Sequence, residues 1–165
     1  MKMLKVLART IGLHGLIVLN FYPFLQKYVR PDQRDITNLL AVAVQACHDM
    51  VPPDAVQPMF KQILNQFVHD RSCPEATAVG LNVVREICLR IPLLMTEELL
   101  QDLVQYENDK PHGKAVSAAY RSLKMLFRKI CPSLLKKKDR GRPTDPNAKP
   151  KAYGECTVIS SVTGC

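Results

Sequence analysis

The chain has 165 residues, 47% of them hydrophobic and 6% aromatic, which suits one globular domain with a sizeable core. It contains no run of 18 apolar residues, so we expect no membrane-spanning helix. The formal net charge of +8 is unevenly placed, because residues 1–113 hold 11 Lys and Arg against 12 Asp and Glu, whereas residues 114–165 hold 12 against 3. The last third is therefore the part that favours nucleic acid, an acidic partner or anionic lipid.

The N-terminal segment MKMLKVLARTIGLHGLIVLN imitates a signal peptide, with three cations ahead of an apolar run. His14 interrupts that run, and no small-residue cleavage site follows it before Asn20. The six cysteines include no C-x-x-C pair, and the chain has no N-x-S/T glycosylation site. An intracellular, reducing environment is the better interpretation.

Six segments of helical length follow one another along the chain, and prolines separate several of them. No segment has the alternating apolar pattern of a strand, and residues Ser72-Cys73-Pro74-Glu75 predict a helix start with a capping box and proline at the first helical position. The sequence therefore predicts an all-α protein. Apolar residues recur at three- and four-residue spacing over 4–20, about 33–50, about 55–70, 74–91, 96–106 and 114–131.

A repeated unit is visible inside this helical pattern. The strings VAVQACHDM, NVVREICLRI and MLFRKICPSL align on their cysteines at spacings of 41 and 43 residues, and MFKQIL matches LLQDLV at a spacing of 40. Helix pairs that recur every 40–47 residues are typical of HEAT and armadillo solenoids, in which neighbouring pairs share one core. We therefore predict a HEAT/armadillo-like α-solenoid of antiparallel helix pairs over residues 1–133, followed by a basic, largely irregular tail over residues 134–165.

The aligned cysteines are Cys47, Cys88 and Cys131. If they occupy one repeated apolar position, three successive repeats would have to converge on a single ion for them to bind metal. We therefore predict that they are buried free thiols, which behave as small hydrophobic side chains.

Two His-Asp dipeptides, at residues 48–49 and 69–70, are the main candidates for catalysis. All-helical metal phosphohydrolases of the HD type use such a dipeptide to bind metal and activate water, which is the weaker of the functional alternatives. Both dipeptides fall in the last turn of a predicted helix, where imidazole complements the unpaired carbonyls. No G-x-x-x-x-G-K loop and no G-x-S-x-G elbow occurs. We therefore predict no catalytic residue, no metal site, no cofactor and no small-molecule substrate.

The basic last third contains the main candidate for a binding site. Cations recur along a broad face of the last predicted helix, which runs into LLKKKDRGRP at residues 134–143. Such a row could follow a phosphate backbone by charge alone, whereas the scarcity of aromatic residues argues against base stacking. A nuclear localisation signal and a solvated helix end remain open as interpretations. We predict contact with nucleic acid or an acidic partner through Lys124, Arg128, Lys129, Lys136, Lys137, Lys138, Arg140 and Arg142.

Four long strings resemble the SDA family, which is named for "severe depolymerisation of actin". They are IGLHGLIVLNFYPFLQKYVRPDQRDIT (11–37), MVPPDAVQP (50–58), VGLNVVREICLRIPLLMTEELLQDL (79–103) and PSLLKKKDRGRP (132–143). The likeness covers most of residues 4–153 and rests on these long strings rather than on one short motif.

The resemblance implies a non-catalytic α-solenoid of the nucleus and nucleolus. It also implies a role in large ribosomal subunit assembly and pre-ribosome export, with rRNA and assembly proteins as partners and no membrane. Family members are several times longer, so we expect this chain to be a piece of such a protein. The alternative function is an α-solenoid adaptor in protein transport, in which the basic residues bind acidic cargo.

Overall fold

A computed structural model describes residues 2–69, 72–109, 113–141, 145 and 147–155. Within these residues the chain forms α-helices and two short 3-10 turns, Pro92–Leu94 and Pro132–Leu134, and no strand. The prediction of an all-α protein is confirmed. The helices are α1 (Lys2–His14), α2 (Phe21–Gln26), α3 (Ile36–Ala46), α4 (Pro53–Phe67), α5 (Pro74–Arg90), α6 (Glu97–Asp109), α7 (Lys114–Ile130) and α8 (Lys137–Arg140).

The described helices alternate between two sets along the chain. We call α1, α3, α5 and α7 the A helices and α2, α4, α6 and α8 the B helices. The A helices contact one another in chain order, and α2 packs against α4 in the B layer. Across the two layers α4 packs against α5 and α6 against α7, and this stacked arrangement confirms the predicted HEAT-like α-solenoid. Each A helix is joined to its B helix by an A–B link of six residues, namely 15–20, 47–52, 91–96 and 131–136.

Burial gives the register of the repeat. The buried positions of α3 recur in α5 at a spacing of 41, as from Leu40 to Leu81, and those of α5 recur in α7 at a spacing of 39, as from Leu81 to Tyr120. The B helices α4 and α6 match at 44, as from Val56 to Leu100. The predicted spacing of 41 is confirmed and the predicted spacing of 43 is wrong, whereas buried positions of α4 and α6 also match at the predicted spacing of 40, as from Ile63 to Leu103. Alignment by residue type gave the wrong register at the spacing of 43, because equivalent positions of a repeat share burial rather than residue type.

This register revises the alignment of the cysteines. Cys47 and Cys88 are equivalent, whereas Phe127 occupies the third equivalent position and Cys131 lies one turn farther along, at the C-cap of α7. All three cysteines are buried free thiols, so the prediction of their burial is confirmed. The prediction that Cys131 shares the repeated position is wrong.

The first predicted helix, over residues 4–20, is too long. The helix α1 ends at His14 because Gly15 adopts a left-handed backbone with φ of 58°, which allows the Leu16 amide to donate to the Ile11 carbonyl at 3.0 Å. This is the hydrogen bond of a Schellman C-cap. The short helix α2 then follows, and the sequence pattern did not predict it as a separate element.

The predicted capping box before α5 is also wrong in part. Pro74 does occupy the first helical position, but Cys73 is the N-cap and makes no side-chain cap. The Ser72 hydroxyl instead donates to the Gln66 carbonyl at 3.4 Å. The serine therefore connects the last turn of α4 to the segment that follows it and does not cap α5.

Close contacts between helices fix the geometry of the pairs. The Tyr22 hydroxyl of α2 donates to the carbonyl of Ala46, the last residue of α3, at 2.8 Å, so that it satisfies a helix-end acceptor inside the core. A Cβ at Gly12 would lie 2.0 Å from the Gln45 oxygen, so only glycine permits α1 to approach α3 this closely. These contacts hold the helix ends, and the links between them, in fixed positions.

Candidate functional site

The cations of α7 do not all point the same way. Lys114, Arg121 and Lys129 are exposed, whereas Lys124 and Arg128 are half-buried on the flank of the helix. Spacings of seven and eight residues, about two helical turns each, place Lys114, Arg121 and Lys129 on one stripe. The row predicted from the sequence is therefore divided between an outer stripe and a partly covered flank.

Arg128 is bonded to the segment that leaves α7. Its Nε donates to the Asp139 carbonyl in α8 at 2.6 Å, a charge-assisted hydrogen bond. Gly141 lies directly against the same guanidinium, because a Cβ at this position would be 3.2 Å from Arg128 Cζ. Gly141 also has φ of 75°, in the left-handed region that glycine adopts without strain. A glycine is thus needed here both for backbone conformation and for contact with the arginine.

Arg140 makes a second internal tie. Its Nε donates to the Leu135 carbonyl at 2.8 Å, and a terminal nitrogen donates to the Ser133 carbonyl at 3.4 Å. Leu135 itself is buried against the core. Arg128 and Arg140 therefore hold the A–B link at 131–136 and α8 in place through backbone carbonyls.

The lysines of this segment are presented differently. Lys136, Lys137 and Lys138 are all exposed, immediately before and within α8. Lys136 and Lys138 line a recess of about 240 Å³ that the exit segment forms with Leu100 and Val104 of α6. We call these three residues the lysine triad. Because the link beneath it is anchored, the triad places three positive charges at a defined position on the surface.

Lys129 lies apart from the lysine triad. It lines a groove of about 1000 Å³ that runs along the C-terminal ends of the A helices, together with Arg9 and His48. The described tail crosses this groove, and the Tyr153 hydroxyl donates to the Met50 carbonyl at 3.3 Å. The structure thus separates the predicted set into the triad, two internally bonded arginines, the half-buried Lys124 and the groove residue Lys129. Arg142 lies outside the described residues.

The His-Asp dipeptides do not lie in the last turns of helices, so that prediction is wrong. The helix α3 ends before His48, whose ring is buried and whose Nε2 donates to the Leu16 carbonyl at 3.0 Å. The helix α4 likewise ends before His69, and Asp70 lies outside the described residues. His48 therefore joins two neighbouring A–B links. Among the described residues, no group of three or more His, Cys, Asp or Glu side chains could hold a metal ion.

Three further cations come together between α2 and α4, and no sequence pattern indicated this cluster. Lys27, Arg30 and Lys61 line an open groove of about 760 Å³ on the B helices, and all three are exposed. The near-neutral balance of residues 1–113 conceals this local concentration of charge. We call it the B-helix groove. None of the helices in the described part of the chain is long and apolar enough to cross a membrane.

Comparison with known proteins agrees with this architecture. A family model described as "SDA1, HEAT repeat" matches residues 1–110. The chain is 51% identical over 164 residues to the "Protein SDA1 homolog" of Nematostella vectensis, covering 98% of this chain and 24% of that protein. It is 46% identical to the Drosophila melanogaster homologue, with 98% and 23% covered, and 45% identical to "Protein sda1" of Schizosaccharomyces pombe, with 92% and 21% covered. The chain thus spans about a quarter of the length of these relatives, and it belongs to the SDA1 family.

Proposed function

We propose that this chain is a non-catalytic scaffold segment in nuclear assembly and export of the large ribosomal subunit. In this role the lysine triad contacts phosphates of rRNA. Membership of the SDA1 family supports the proposal, because the sequence resemblance implies this role for the family. The observation that carries the choice of site is the exposed triad on an exit segment that Arg128 and Arg140 anchor to the core.

The geometry favours recognition of a backbone rather than of bases. Lysine carries a compact charge on a flexible stem and contacts phosphate without a fixed orientation, whereas reading a base requires stacking or a planar fork. No aromatic side chain is among the described residues of the triad and its recess. We therefore expect binding that depends strongly on salt and weakly on sequence.

Replacing Lys136, Lys137 and Lys138 together with alanine tests the site. Each lost phosphate contact with single-stranded RNA lowers the slope of log K against log salt by about 0.7, so the slope should fall by about 2. The measurement is fluorescence anisotropy with labelled oligouridine over a salt series. A matched control replaces Lys2, Lys5 and Arg9 of α1 with alanine. These residues are also exposed, and their replacement removes the same amount of charge. An unchanged slope in the triad variant, or an equal fall in the control, would refute the assignment of RNA contact to the triad.

The competing function is binding of an acidic protein. If the triad variant loses binding to polyglutamate while its affinity for RNA is unchanged, the site belongs to an acidic partner. The cellular role is tested separately, by placing the triad substitutions in a full-length SDA1 protein and following large-subunit precursors. Nuclear accumulation of these precursors is expected, and normal processing and export would count against the proposed role.

A further inference from the structure

We propose that the B-helix groove is a second binding site for nucleic acid, which takes the phosphodiester backbone of a single strand. The packing of α2 on α4 brings together Lys27, Arg30 and Lys61, which are distant in sequence. None of the three forms an ion pair with a residue that the structure describes. Their charges are therefore not neutralised within the groove, and the site is independent of the lysine triad.

The remaining lining of the groove determines the class of ligand. It consists of amide side chains, such as Gln26, Asn65 and Gln66, and of two prolines, Pro23 and Pro58. None of the described residues that line it is a carboxylate. A phosphate needs only positive charge and hydrogen-bond donors, both of which are present.

An acidic peptide is a poorer match to this lining. Peptides bound in grooves usually gain much of their affinity from apolar side chains that enter pockets. Apart from the two prolines, the described lining of the B-helix groove contains no aliphatic or aromatic side chain for that purpose. The groove at the A-helix ends is different, since the exposed Leu13, Leu89 and Leu93 line it. Recognition by charge and hydrogen bonding alone therefore favours a sugar–phosphate backbone in the B-helix groove.

Gln62 of α4 joins the two helices that form the groove. Its Nε2 donates to the carbonyls of Gln26 at 2.9 Å and Val29 at 2.7 Å, at the C-terminal end of α2. Unpaired carbonyls at a helix end attract cations and repel anions. The Gln26 carbonyl also accepts from the Val29 amide at 3.3 Å, so Gln62 adds a second donor there and offsets part of the negative potential of both carbonyls while it ties α4 to the end of α2.

Replacement of Lys27, Arg30 and Lys61 with alanine tests the proposal. The loss of three phosphate contacts should reduce the salt slope for oligouridine by about 2, so that raising salt from about 50 to about 200 mM weakens binding about 20-fold less than in the parent chain. The matched control is again the variant of Lys2, Lys5 and Arg9, which also loses two lysines and one arginine. Circular dichroism and the melting temperature of each variant establish that the solenoid is intact.

A single substitution provides an independent test. Asn65→Glu places a carboxylate in the groove without removing a cation, and it should weaken oligouridine binding, whereas Asn65→Gln should not. If the triple variant and Asn65→Glu both bind RNA as the parent does, the proposal is overturned. It is also overturned if the triple variant loses polyglutamate binding alone. The lysine triad is unaltered in these variants. A negative result for the B-helix groove therefore does not count against RNA contact by the triad, and a negative result for the triad does not count against the groove.

Discussion

At the scale of single residues, the two equivalent cysteines carry a pH dependence that their sequence context does not show. Burial raises the pKa of the Cys47 thiol to about 12, an effect that nearby Arg90 partly opposes. Burial, and then the neighbouring Cys47, raise the pKa of Cys88 still further. Both thiols are therefore held in their neutral form in the fold, while in the unfolded chain they ionise near their usual pKa of about 9.

The sign of the resulting stability change follows from proton binding. Above about pH 9 the unfolded chain binds fewer protons than the folded chain, so the free energy of unfolding falls as pH rises, by up to about 1.4 kcal/mol per pH unit for each thiol. Urea unfolding under reducing conditions at pH 8, 9, 10 and 11 should show this fall. The double variant Cys47→Ala/Cys88→Ala should show a shallower one. Cys73 is exposed, so Cys73→Ala is the control and should keep the parent slope; a double variant with the parent slope would contradict the assignment.

At the scale of helices, one glycine sets the distance between α4 and α5. A Cβ at Gly80 would lie 2.5 Å from the Cβ of Phe67, which is shorter than any relaxed contact. Phe67 is nearly fully buried and belongs to the shared core, so it has little room to move. Gly80 occurs in the middle of a helix despite its poor helix propensity because the neighbouring helix occupies the space of a side chain.

The variant Gly80→Ala tests whether the steric overlap with Phe67 outweighs the gain in helix propensity. In an exposed helix this change stabilises by about 0.5–1 kcal/mol, but here overpacking against Phe67 should destabilise the fold by about 1–3 kcal/mol. Asn82→Ala, at an exposed position of the same helix, is the control and should be neutral or slightly stabilising. Equilibrium urea unfolding of both variants measures the difference. A Gly80→Ala variant as stable as the parent would show that α4 and α5 can move apart at little cost.

At the scale of the whole molecule, the fold class was predictable and the surface was not. Apolar periodicity identified the long helices, since each buries one stripe against its neighbours. It missed α2, a helix of six residues that contains Pro23, because so short an element shows less than two turns of the pattern. Likewise, residue type did not distinguish Arg128 and Arg140 from the nearby lysines, although the arginines bond backbone carbonyls and the lysines are exposed. The B-helix groove was hidden because packing, not sequence proximity, brings its cations together.

The two proposed contacts also predict how the molecule responds to ligand length. The lysine triad follows α7, whereas the B-helix groove belongs to α2 and α4, so a strand too short to reach from one to the other should occupy one site at a time. A strand several times longer that engages both should bind more tightly through effective concentration. Removing either set of cations should then cost more affinity for the long strand than for the short one. Equal losses for both lengths in parallel titrations would show that the sites do not act together.

The constant length of the A–B links determines where the protein can accept an insertion. All of the A–B links that the structure describes have six residues, whereas the connections from B helix to next A helix differ, with nine residues at 27–35 and six at 68–73. The A–B links also carry buried residues such as Val51, Met95 and Leu135, so an added residue there would displace part of the core. The exposed stretch 31–35, between the buried Val29 and α3, is thus the place to lengthen the chain, for example to insert a fluorescent or affinity tag. The same insertion within 47–52 or 91–96 should disturb the stacking of every later pair.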